Sequence, residues 1–100
     1  MANTLKVLFR GAATTSSATL YTAPALTTTL VTSIVITNTS ASAGTYNLLL
    51  NDVSLATLVP VPANDSVIVE PKQALNAGNT IKGLASATTI NFHVTGLEVT

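Results

Sequence analysis

The strong helix formers Glu, Lys, Arg, Gln and Met are almost missing from this chain, whereas Thr and Ser supply about a quarter of its residues. That imbalance limits the fold more than any other feature. Straight-chain residues lose little rotamer freedom in a helix. β-Branched residues lose χ1 freedom against the preceding turn, and they pack well on a pleated surface. An all-β structure is therefore expected. The apolar residues agree, because they recur with a period near two or in short runs punctuated by Gly, Pro, Asn and Asp.

Residues 5–10 open the pattern, with Leu5, Val7 and Phe9 alternating with Lys6, Leu8 and Arg10 before Gly11. Residues 17–22 form a short strand stopped at Pro24, since proline cannot donate to a central ladder. Residues 28–39 (TTLVTSIVITNT) make the strongest strand, with Leu30, Ile34 and Ile36 on one parity and Val31, Ser33, Val35 and Thr37 on the other. Segments 45–50 and 53–59 flank Asn51-Asp52, a pair that tolerates the positive φ angles of a two-residue hairpin. Pro60 and Pro62 mark an extended edge. Residues 67–70 then form a short strand closed by Pro71, and a turn at 76–79 precedes a strand at 80–85. Residues 89–99 close the chain, with Gly96 expected as a bulge. About eight strands with turn signals roughly every 8–12 residues predict a single small β-sandwich, jelly-roll or immunoglobulin-like, over residues 1–100. Residues 1–17 are its N-terminal strand or arm plus a loop.

One hundred residues suit one domain, and a chain this size buries about two-thirds of its unfolded surface. Charged residues make up only 8%, against about 25% in an average domain, and the four bases cancel the four acids. Zero net charge provides no attraction for nucleic acid or an anionic membrane, and neither is an expected partner. It also removes the repulsion that keeps copies of a molecule apart. No run approaches the ~20 apolar residues of a membrane helix, and the N-terminal stretch MANTLKVLFRGAATTSSA lacks the apolar core of a signal peptide.

The search for chemistry comes back nearly empty. His93 is the only histidine, so a catalytic base or metal role would need partners distant in sequence. Asp52 and Asp65 fall in turns, Glu70 precedes a proline and Glu98 lies near the C-terminus. The five glycines form no phosphate-cradling loop, and there is no cysteine or tryptophan. No catalytic residue, metal ligand or cofactor is expected, and the chain reads as a non-enzyme. The four aromatics, Phe9, Tyr21, Tyr46 and Phe92, read first as packing residues.

Four stretches carry a resemblance: LYTAPA at 20–25, IVITNTS at 34–40, VPANDS at 61–66 and LNAGNTI at 75–81. In this order they resemble a small β-rich module of tailed bacteriophage virions, used as capsid decoration (cement) or tail-associated protein. The likeness covers roughly residues 20–99. It implies a virion structural protein, most specifically a capsid decoration protein that stabilises the shell through protein–protein contacts. Its partners would be copies of itself, with a trimer favoured, and the major capsid protein or a tail protein. Its location would be the virion, assembled in the host cytoplasm. A tail, fibre or baseplate component, with receptor-binding, is the alternative, and a carbohydrate-binding sandwich is an alternative of another class. Candidate partner contacts are Lys6, Arg10, Tyr21 and Tyr46. Lys6 and Arg10 lie four residues apart on one strand, so alternation places them on the same side. That strand is expected either to pair within its own sheet or to be donated to a neighbour.

Overall fold

In the computed structural model, which describes residues 3–100, the Asn51-Asp52 hairpin is the innermost of a nested series of antiparallel pairs. Here β4 (Gly44–Leu50) pairs with β5 (Val53–Val61). Outside them β3 (Thr28–Asn38) pairs with β6 (Ser66–Val69) and β7 (Gln73–Leu75). Next, β2 (Ala18–Thr22) pairs with β8 (Thr80–Ala85), and outermost β1 (Asn3–Ala12) pairs with β9 (Ile90–Val99). Rolling this long hairpin gives two sheets, β1-β9-β3-β6 with β7 also on β3, and β2-β8-β4-β5.

This nesting is the jelly-roll arrangement. The immunoglobulin alternative, which groups its A, B, E and D strands in one sheet, does not fit. The protein is an all-β sandwich, with one strand more than the expected eight. The addition is β7: β6 and β7 together fill one strand position along β3, interrupted at Pro71 and at Lys72 with φ 50°. Three residues are too few to show a period, which is why Gln73–Leu75 was silent in the sequence.

The hairpin formed as expected, with Asn51 at φ 51° and Asp52 at φ 64°, the positive values its turn requires. Pro60 lies in β5, an edge strand, where a missing N–H is tolerated.

Side-chain parity departs from simple alternation because four of the described strands carry extra residues, β5 at two points of its pairing with β4 and β1, β2 and β3 at one point each. The pairing of β1 with β9 skips Leu8, that of β2 with β8 skips Leu20, and that of β3 with β9 skips Thr32. Each bulge turns the rest of its strand over. Leu5 and Val7 thus face outward, whereas Leu8 and Phe9 both pack against the core. In β3 the bulge puts Val31 inside with Ile34 and Ile36 and leaves Leu30 on the outer face, correcting the parity read from the sequence.

Gly96 is not a bulge, since β9 itself runs without interruption between the bulged strands. It is a point of close approach. A Cβ there would lie 2.5 Å from the Leu30 carbonyl oxygen and 2.7 Å from Leu8 Cδ1. The missing side chain makes room for Leu8.

Between the sheets, Val31, Ile34, Ile36, Phe92 and Val94 meet Tyr46, Leu48 and Ile81, all essentially buried. Tyr46 and Phe92 pack edge to face with centroids 6.3 Å apart. At one end Asn38 ties the loops together. Its amide donates to the carbonyls of Ser42 (2.8 Å) and Val61 (3.3 Å), and its oxygen accepts from the Ser40 N–H (3.0 Å). A buried amide with its bonds satisfied stabilises the turn instead of penalising it.

Candidate interaction surface

The Leu8 bulge decides where the basic residues go. Directly paired residues share a face of the sheet. Lys6 pairs with Gly96, whose face is the core face, and Arg10 pairs with His93 on the outer face. The two bases therefore project from opposite sides, which corrects the expectation that they share one.

Lys6 Nζ lies 3.4 Å from Glu98 Oε1, and the Tyr21 hydroxyl donates to Glu98 Oε2 while sharing a 2.8 Å hydrogen bond with Thr29 Oγ1. The Glu98 side chain is only 12% exposed. This cluster joins β1, β9 and β3 of one sheet to β2 of the other. Burial, reinforced by the hydrogen bond to Glu98, pushes the Tyr21 phenol above its usual range, so it remains a donor.

Of the two tyrosines, one is buried and the other only partly exposed. Tyr46 is 2% exposed and sits in the core, where burial raises its pKa, and the Tyr21 hydroxyl is committed inward. Their bulk went to packing, as aromatic residues in a small core tend to do. Of the four candidate contact residues, Arg10 alone sits on the outer face of the first sheet, while the Lys6 side chain is 45% exposed at its edge. β1 pairs with β9 of its own chain, so it is the edge strand of its sheet. Glu98 is the residue that the sequence reading undervalued. Its signal was present in the closing strand, where Ile90, Phe92, Val94, Gly96 and Glu98 hold one parity.

The outer face of the first sheet is the larger unaccounted feature. Cross-strand pairing lines up Leu5, Leu97, Leu30 and Ala74 as one continuous row over β1, β9, β3 and β7. A second row runs Arg10, His93, Val35 and Ile68. Leu5 is 71% exposed, Val7 44% and Ile68 64%. The described residues form two layers only, so no third layer covers these rows. Three of the six exposed large apolar side chains among the described residues lie on this face, while Leu26, Val53 and Leu58 lie elsewhere; the continuous row is what sets this face apart from scattered exposed leucines.

The polar groups assemble little else. Asp52 and Lys82 form an exposed ion pair at 2.7 Å, of a kind worth at most about 1 kcal/mol. Asp65 Oδ1 accepts from the Ser66 N–H at 2.8 Å. Among the described residues no three of His, Asp and Glu come together as metal ligands. A depression of about 220 Å³ lies beside Leu50, Val53 and Gln73. A second, of about 350 Å³, is lined by polar residues from Thr37 to Thr39 and Asn64 to Ser66, with no aromatic ring on which a sugar could stack.

No family model matches the sequence, and no curated protein matches it. Among solved structures, the crystal structure of the Agl-KA catalytic domain is similar over 98% of this chain and 26% of that one, with 15% identity and a TM-score of 0.42. The chain thus spans about a quarter of that protein's length. A likeness this distant carries no argument about activity.

Proposed function

We propose that the protein is a non-enzymatic structural component of a bacteriophage particle, most specifically a capsid decoration protein that stabilises the shell by binding its surface as a homo-oligomer. The observation that carries this reading is the uncovered apolar face of the first sheet on a chain of zero net charge. Such a face is a liability on a free monomer and an asset in an assembly. Specific interfaces bury about 1,600 Å² in total, so a 100-residue domain must commit much of its surface to contacts. Low charge makes that commitment inexpensive, because few ions lose their water.

Two further features support the reading. The turn-and-strand stretches at 20–25, 34–40, 61–66 and 75–81 resemble virion modules. The jelly roll is also an architecture that viral capsid domains use, although lectins and cupins use it too, so this support is by analogy. In mechanical terms, nested pairing stitches the first strand to the last within the first sheet.

Electron microscopy of particles carrying antibody-labelled protein tests the proposal. Label spread over the capsid surface is expected. Label confined to the tail would move the protein to the tail-associated alternative, and unlabelled particles would overturn the virion reading.

A further inference from the structure

We infer that the outer face of the first sheet is a self-association surface, on which a second copy of this chain packs face to face about a two-fold axis. This deepens the assembly reading by naming the face and the partner, and it stands on geometry that does not depend on where the protein is found.

Antiparallel sheets cover apolar faces by stacking on other sheets about 10 Å apart, with strands within about 30° of alignment. Here the inner face of each sheet is already used, and the outer face of the first sheet offers the row Leu5, Leu97, Leu30 and Ala74, with Val7 in the next row beside Thr95 and Ser33, and Val35 and Ile68 in the row beyond that. The molecule measures 45 × 22 × 18 Å, so its broad side exceeds the ~800 Å² that each partner contributes to a standard interface. Among the paired positions of that face Arg10 is the one formal charge, and it sits on the edge strand. Two copies can therefore meet without placing a like-charged pair at the centre of the contact. The apolar row runs straight across the sheet, so a two-fold axis in the plane of the face lays leucine against leucine. A surface that contacts itself is isologous and closes at two copies, in place of the trimer suggested by the resemblance.

Edge-to-edge pairing through β1 is the competing geometry, and β1 is defended against it. The Leu8 bulge twists the strand, and Lys6 points inward toward Glu98. Both are known ways of blunting a sheet edge.

Sedimentation equilibrium on the full chain separates these possibilities. The wild type is expected to be a dimer. Leu5→Lys on β1 and Ala74→Lys on β7 should each weaken it at least about tenfold, while Leu58→Lys on the other sheet leaves it unchanged. Leu5, Ala74 and Leu58 are all exposed, and unaltered circular dichroism and thermal melting would verify the folds. A wild type that is monomeric or trimeric would overturn the inference. So would loss of the dimer in Leu5→Lys with Ala74→Lys unaffected, which is the signature of edge pairing, or dissociation by Leu58→Lys. Failure here and failure of the virion reading are distinguishable: a monomer that still labels capsids refutes only the dimer, and a dimer absent from particles refutes only the location.

Discussion

Leu26 occupies a position that suits it poorly. It sits in the turn closed by the Thr27 N–H and the Pro24 carbonyl at 3.2 Å, with φ 60° and 93% of its surface exposed. A left-handed conformation costs an L-residue about 1–2 kcal/mol, and glycine avoids this at some cost in unfolded-chain entropy. Leu26→Gly should therefore raise stability by up to about 1 kcal/mol, read as a higher denaturation midpoint with unchanged slope; a lower midpoint would mean that the leucine packs on something. Tyr21→Phe acts in the opposite direction. It leaves the largely buried Glu98 without its phenolic donor, and an unfolding free energy lower by about 1–3 kcal/mol is expected. The sequence made Tyr21 visible as an aromatic residue but not its partner, because Glu98 is 77 residues away and meets it only after the roll has closed.

The strands themselves were legible, since β-branched composition and period-two alternation act locally and the Asn51-Asp52 turn carries its own conformational preference. The bulges were not. Thr32 leaves the ladder where β3 meets β9, and its hydroxyl donates to the Thr95 carbonyl at 2.9 Å, a contact set by pairing between distant segments. Reading straight through such a residue inverts every face beyond it, which misplaced Leu30 and Val31 and put Lys6 and Arg10 on one side. Gly96 shows the cost of the bulged arrangement. The Leu30 carbonyl oxygen is backbone and cannot turn away from an added methyl, so Gly96→Ala should destabilise by about 1–3 kcal/mol in denaturant unfolding. A neutral effect would contradict the close packing of Leu8 over β9.

At the scale of the whole molecule, the two tyrosines link stability to pH. Tyr46 is raised by burial, and Tyr21 by burial and then by its bond to Glu98. Below the unfolded value near pH 10 both phenols are protonated in both states and add no slope. Above it the unfolded chain releases these protons first and so binds fewer than the native state, and stability falls as pH rises. The double variant Tyr21→Phe, Tyr46→Phe should flatten that fall in urea titrations above about pH 10, and an unchanged slope would assign it to other groups. The same scale holds what the sequence concealed about the candidate surface. Leu5, Leu97, Leu30 and Ala74 are scattered along the chain and form a row only when β1, β9, β3 and β7 lie side by side. That the protein works by covering such a surface within a particle is the central claim, and its copy number in purified virions, from quantitative mass spectrometry against labelled peptides, tests it most directly. A decoration role predicts on the order of hundreds of copies, matching the many equivalent sites of a symmetric shell; a handful, or none, would contradict it.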